Sequence, residues 1–249
     1  MKILYSNKSL YPFEGGADIS ALTLLKHLAK NNDVSAYYIG EKLDSSAIRS
    51  FPQNIRQKKG MWINLYFLNK RWENILREAI RKEKPDLIIA QDYLIAPTIK
   101  VAKENNIKSV VFLRSYFHLS IDNFKTYLPE QEKFGRSSDF IYQIQYPFYK
   151  KIVKETQKYL KQADMVFSVS NYMKEITLNY CGVDSEVIRP FISFEECKVE
   201  KTGDCIVFLN PDKHKGVEIF EKIAERLSEK DFLVVGNSNY IPKSKNVKS

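Results

Sequence analysis

The chain has 249 residues, with 39 Lys and Arg against 30 Asp and Glu, a formal net charge of +9 and 44% hydrophobic residues. That apolar content can bury a core, and no apolar run reaches the roughly 20 residues of a membrane-crossing helix, so disordered and membrane-spanning classes are excluded. Cys181, Cys197 and Cys205 are odd in number and lack Cys-x-x-Cys spacing, which argues against a disulfide frame or structural zinc, while the positive excess favours anionic partners such as lipid head groups, nucleic acid or phosphorylated substrates.

Met1-Lys2 leads into a strand, Lys2 to Ser6, rather than a signal sequence, so a cytoplasmic location is expected. Gly15 and Gly16 follow, just before the amphipathic stretch Asp18 to Lys30. A strand, a glycine turn and a helix start in that order let backbone amides approach a phosphate or sugar, with the helix's positive end behind them. The competing reading is a tight turn that needs φ above zero.

Further buried parallel strands are expected at Val34 to Ile39, Leu87 to Ala90, Ser109 to Leu113 and Met165 to Val169. Met61 to Lys82 sets Trp62, Leu65, Leu68, Trp72, Ile75, Leu76, Ala79 and Ile80 along one helical stripe, and Pro85 stops it. Ser170 reads as the cap of a helix from Asn171 to Tyr180. Alternation of this kind specifies an α/β fold, a three-layer Rossmann-like parallel sheet. After the connector Ser193 to Gly203 comes a second unit: strand Cys205 to Leu209, helix Gly216 to Leu227 and strand Phe232 to Val235. It is small for an independent domain, so the expected division is 1–195 and an incomplete 196–249.

Ligands bind at the carboxyl ends of parallel strands, and Asp92, Arg114 and His118 fall there. For Asp92 and Arg114 the competing reading is an intramolecular ion pair. His118 can donate to or accept from a hydroxyl at neutral pH. His27 reads as structural and His214, beside Lys213 and Lys215, as solvated. The segment Arg56 to Lys84 joins Trp62, Tyr66, Phe67 and Trp72 to Lys58, Lys59, Lys70, Arg71, Arg77, Arg81 and Lys82. Such a helix either lies on an anionic membrane surface, at the inner face, or packs on the sheet with a charged outer side. No nucleic-acid motif accompanies the charge, so nucleic acid is not an expected partner.

With these residues in view, the chain resembles the nucleotide-sugar glycosyltransferases of family 4, which have the two-lobed GT-B fold. The resemblance rests on Gly15-Gly16, Pro85-Asp86-Leu87-Ile88-Ile89, Ala163-Asp164-Met165-Val166-Phe167-Ser168-Val169-Ser170, and Asn210-Pro211 leading to Lys215-Gly216. It implies a GT-B fold with a truncated second Rossmann-like lobe, a donor in the cleft between lobes and an acceptor on the amino-terminal lobe. It also implies a retaining hexosyl transfer from a nucleoside-diphosphate sugar to a glycan or lipid-linked acceptor, without metal or cofactor. The leaving diphosphate then needs fixed positive charge and amide donors.

Carried over by position, Gly15 and Gly16 match the family's glycine loop. Lys215 matches a basic residue that faces the donor diphosphate, and His118 matches a histidine that hydrogen-bonds the donor sugar. Asn210 stands where the family usually has an arginine, five residues before the lysine. The family's paired glutamates would fall beyond Ser249, so the chain by itself is expected to be catalytically impaired, and the exposed edge of the second sheet is open to homo-oligomer formation. The alternatives are a non-catalytic lobe that binds acceptor or a partner protein, a basic nucleic-acid-binding domain, and an epimerase of the same fold.

Overall fold

The protein is described by a computed structural model covering all residues except 14, 56–60, 128–137, 193, 195–197, 199, 201–202, 212–214, 237–239 and 249, with backbone alone at 61, 125–127 and 138–142. Lys58, Lys59, Cys197, Lys213 and His214 therefore lie outside the described residues. The chain divides into two compact units, Met1–Ser193 and Phe194–Ser249.

Unit 1 runs β1 (Lys2–Ser6), α1 (Gly16–Leu28), β2 (Asp33–Ile39), β3 (Ile48–Gln53), α2 (Met61–Glu83), β4 (Leu87–Gln91), α3 (Ile95–Glu104), β5 (Lys108–Leu113), α4 (Ser138–Leu160), β6 (Met165–Ser168), α5 (Asn171–Cys181) and β7 (Glu186–Val187). All strand pairings are parallel, in the order β3-β2-β1-β4-β5-β6-β7. The order therefore reverses between β1 and β4, and a doubly wound sheet opens a crevice at the carboxyl ends of the strands at such a point.

Alternate residues of each strand enter opposite cores. Ile3 and Tyr5 pack with Leu22 and Leu25 of α1, while Leu4 and Ile88 pack with Trp72 and Leu76 of α2 and Ile152 of α4. The result is a three-layer sandwich. The stripe on α2 is buried as its spacing requires, with Ile75 partly so. Trp62 and Trp72 are consequently core residues, so of the two readings of this helix the one that packs it on the sheet with a charged outer side holds for them.

Trp72 also anchors a buried hydrogen-bond chain. Its indole Nε1 donates to Ser6 Oγ at 2.9 Å, Ser6 Oγ lies 2.8 Å from Thr98 Oγ1, and Thr98 donates to the Leu94 carbonyl at 2.6 Å. The end of β1 is thus tied to α2 and α3. Ser170 caps α5 as expected, accepting from the Met173 amide at 3.2 Å.

Several elements escape the sequence patterns, β3, α3 and α4 among them. β3 reads as polar because Arg49, Ser50 and Pro52 interrupt it, yet it is an edge strand, where proline is tolerated. α3 carries Pro97 in its first turn, where no amide is needed, and α4 holds Pro147 within its span. Among the described residues no helix is long and apolar enough to cross a membrane.

Unit 2 comprises β8 (Ile206–Leu209), α6 (Val217–Arg226), β9 (Phe232–Val235) and β10 (Val247–Lys248), a parallel sheet in the order β10-β9-β8. Phe208 stacks on Phe220 at 4.4 Å, and Phe232, Val234 and Val247 complete a small core. On the other face of the sheet Val207, Leu209, Leu233 and Val235 are exposed. Gly236 has φ +97, and a Cβ there would stand 2.2 Å from Asn210 Oδ1, so only glycine lets β9 end against the Asn210 side chain.

Replacing Trp72 with Ala removes a fully buried ring and the donor to Ser6, and should lower the stability of unit 1 by about 3–5 kcal/mol. Urea unfolding followed by the fluorescence of Trp62 measures it. A loss under about 1 kcal/mol would contradict this assignment of the core.

Candidate functional site

The crevice where β1 and β4 part is lined by polar side chains that the sheet itself does not require. Gln91 ends β4, and its Oε1 accepts from Tyr5 Oη at 3.2 Å and from Arg114 Nε at 3.0 Å. Arg114 follows β5 and donates again from Nη1 to Ser20 Oγ of α1, at 2.8 Å. Ser20 Oγ also accepts the Phe191 amide at 2.7 Å. One guanidinium thereby spans β4 and the first turns of α1. Its Nη2 has no acceptor among the described residues.

Asp92 sits with φ +43, in the left-handed region that a short polar side chain enters more readily than a bulky one. Its Oδ1 accepts the amides of Arg114 at 2.9 Å and Ser115 at 3.1 Å. The competing reading of an ion pair therefore fails in detail: the carboxylate holds the backbone of residues 114 and 115, and the Arg114 side chain goes elsewhere. Burial pushes the Asp92 carboxyl up to about 6, opposed by the two amides and the Arg114 charge. Burial also pulls Arg114 below its usual value, while Tyr5, Asp92 and Asp18 act in the opposite sense.

Gly15 and Gly16 stand at the start of α1. Gly15 is extended at φ −179 and Gly16 has no positive φ, so the reading of a turn that needs left-handed backbone is overturned. A Cβ on either would meet nothing within 4 Å. Among the described residues nothing asks for glycine there, and the space in front of both is open. Gly15 offers no side-chain cap, and the amides of Gly16 and Ala17 have no acceptor among the described residues. Asp18, in the same turn, is buried and accepts from Ser9 Oγ at 2.9 Å.

His118 is fully buried beyond β5, with its ring 5.2 Å from that of Tyr93. Neither ring nitrogen has a hydrogen-bond partner among the described residues, and burial pushes its pKa down to about 3. The imidazole is therefore neutral at physiological pH. Lys8, after β1, lies 5.9 Å from the centre of the Tyr93 ring. Asp92 and Arg114 thus share one network, Gly15 and Gly16 open the helix that Arg114 reaches through Ser20, and His118 stands behind Tyr93. Sequence reasoning missed Tyr5, Ser20, Gln91 and Lys8. The strand-end rule that found Asp92 applies equally to Gln91, whereas Ser20 is visible only once α1 is docked.

The profile of Glycosyltransferase Family 4 matches residues 14–196, well over half of the chain. The protein belongs to glycosyltransferase family 4. No curated protein matches its sequence. Solved structures of similar fold include sucrose-phosphate synthase from Thermosynechococcus elongatus, 14% identical with a TM-score of 0.65 over 98% of this chain and 64% of the other. A glycosyltransferase from Rickettsia africae ESF-5 is 16% identical, with a TM-score of 0.58 over 96% of this chain and 61% of that one. UGT2 of Phytolacca americana, complexed with UDP-2fluoro-glucose and pterostilbene, is 12% identical, with a TM-score of 0.57 over 99% and 67%. The fold is that of the GT-B glycosyltransferases, and this family 4 chain spans roughly two thirds of the length of these structures.

In unit 2 of this family 4 chain, Lys215 is exposed immediately before α6, whose cap Gly216 has φ +80. Asn210 ends β8 in the left-handed region at φ +54, with its amide donating to the Val235 carbonyl at 2.8 Å.

The raised proton affinity of Asp92 gives a signed prediction. The folded chain holds this proton up to about pH 6, whereas the ordinary carboxyl releases it near 3.8. The group's contribution to stability is therefore present below pH 3.8 and lost as pH rises through 6. Asp92→Asn keeps an oxygen for the two amides and carries no charge. Relative to the parent, its stability should rise between pH 4 and 7 by up to about 3 kcal/mol. Urea unfolding across that range reads the difference, and parallel profiles for the two proteins would refute the assignment.

Proposed function

We propose that this glycosyltransferase takes its sugar from a nucleoside-diphosphate donor and passes it, with retention, to a hydroxyl of a glycan or lipid-linked acceptor. The observation that carries the proposal is the pair of glycines at α1 whose missing side chains leave open space that the fold does not use. Glycine at such positions is explained by something outside the chain that comes close to the backbone. The two amides at the first turn of this 13-residue helix, without an acceptor among the described residues, suit an anionic or hydroxyl-bearing ligand.

On this reading Arg114 supplies fixed positive charge through Nη2, held in direction by Gln91 and Ser20. A guanidinium locked in this way loses little conformational freedom on binding. His118 is neutral and fully buried behind Tyr93, so on this reading it hydrogen-bonds a sugar hydroxyl only once the Tyr93 ring moves aside, and it does not act as a cationic acid. In unit 2, Lys215 gives a point charge to the leaving diphosphate and Asn210 a neutral amide where a second cation is usual in the family. Chemistry of this type needs stabilisation of developing charge on the leaving group rather than a protein nucleophile. The division of labour follows: unit 1 takes the acceptor and, at its glycine loop, approaches the donor diphosphate, unit 2 takes the rest of the donor, and the transferred group is a hexose.

Gly16→Val tests the proposal and its fold-independence together. Because a Cβ there meets nothing in the chain, thermal stability should stay within about 1 kcal/mol of the parent, while affinity for UDP- or GDP-sugars falls at least about tenfold. Calorimetric titration of the two proteins measures this. Undiminished binding or turnover in the variant would remove the glycine loop from the site.

A further inference from the structure

Unit 1 carries an exposed aromatic surface with no part in the transfer chemistry above. Tyr66 and Phe67 of α2 meet Phe148 of α4, with ring centroids 5.5 to 6.2 Å apart. Phe67 is 60% exposed, and Ile144, one turn before Phe148, is 42% exposed. Lys151 donates to Tyr66 Oη at 2.9 Å and stands over its ring.

The charge around these rings is predominantly positive. Arg71, Lys150 and Lys154 are exposed on the same two helices and have no carboxylate partner among the described residues. Several other cations of unit 1 are engaged: Arg49 with Asp33 and Glu83, Arg77 with Glu104, Lys100 with Glu73, Lys103 with Asp164. Even on this surface Lys70 is taken by Glu73 and Glu155. A surface with apolar rings at its centre and unpaired cations at its margin fits an occupant that is apolar within and anionic outside.

Its place in the fold adds to the argument. α2 returns antiparallel to the strands it connects, so its first turns lie at the carboxyl edge of the sheet. Trp62, one turn before Tyr66, is 6.3 Å from Tyr93, which in turn contacts His118. The aromatic surface therefore adjoins the edge that holds the candidate site.

We propose that this surface docks unit 1 on an anionic bilayer, with Phe67 and Ile144 entering the headgroup boundary and Arg71, Lys150 and Lys154 over lipid phosphates. The three rings pack edge-on or tilted against one another, at interplanar angles of 71°, 61° and 45°, and so do not present the separate parallel faces on which nucleic-acid bases stack. The proposal deepens the acceptor half of the function above by naming a lipid-linked acceptor at a membrane surface. The docking itself is measured without donor or turnover, so the two readings fail separately.

The test is co-sedimentation of the full chain with phosphatidylcholine vesicles, with and without phosphatidylglycerol, at low and at physiological salt. The parent should pellet only with the anionic vesicles. R71Q/K150Q/K154Q should weaken binding on the order of 100-fold, from about fivefold per cation, and Phe67→Ser about tenfold, with unchanged circular dichroism in both. Absence of phosphatidylglycerol-dependent pelleting overturns the proposal. So does binding that the charge variant loses but Phe67→Ser keeps in full, together with equal affinity for a single-stranded oligonucleotide, since that pattern describes a general polyanion surface.

Discussion

One carboxylate oxygen, Asp92 Oδ1, accepts the amides of both Arg114 and Ser115, and the shape of the crevice follows from it. β4 and β5 are neighbours whose ends would otherwise diverge into independent loops. By bridging them, Asp92 fixes where the chain leaves β5, which aims the Arg114 side chain at Gln91 and Ser20 and starts the path toward His118. The residue accepts left-handed backbone and a buried carboxyl to do this. Both features oppose folding, so they are the kind of local expense that a binding edge carries while the remainder of the sheet stays regular.

That edge is supported from below by an apolar and hydrogen-bonded base. Trp72 is fully buried and donates to Ser6, which continues to Thr98 and the Leu94 carbonyl. The last residue of β1 and the turn after β4 are thereby held by α2 and α3. In front, the loop between β1 and α1 is pinned where the Glu41 amide donates to the Tyr11 carbonyl, against a Gly40 whose Cβ would stand 2.1 Å from that same oxygen. The glycines at 15 and 16 differ in kind: Gly40 is required by its neighbours, and those two are required by none of the described residues.

Much of the sheet was legible because buried parallel strands are short apolar runs, and Lys2 to Ser6 and Phe232 to Val235 coincide with observed strands. β3 was not, since an edge strand needs only one buried face and can hold Arg49 and Pro52. α4 was hidden by Pro147, whose local preference is overridden by packing of Tyr149, Ile152 and Val153 on α2 and α3. In the candidate site, Asp92 and Arg114 could be found from strand ends, but their actual bonds could not. An acid and a base at adjacent strand ends suggest an ion pair, and only the backbone direction at Asp92 shows that the carboxylate faces amides. Trp62 and Trp72 were ambiguous for a related reason: a basic aromatic helix looks alike from sequence whether its rings face lipid or a core, and the stripe period decides for the core. The rings left outside, Phe67 with Tyr66 and Phe148, depend on the docking of α4, which no local pattern foretells.

The central claim is that the edge formed by Gly15, Gly16, Gln91, Asp92 and Arg114 receives a nucleotide sugar or its acceptor. Amide hydrogen exchange of the full chain, recorded without ligand and with saturating UDP-sugar or GDP-sugar, tests it most directly. The account predicts slowed exchange at residues 15–20, 91–92 and 114–118 with one of the two ligands, and little change at the opposite, amino-terminal ends of the strands. Unchanged exchange at all three segments under conditions where binding is measured by calorimetry would contradict it.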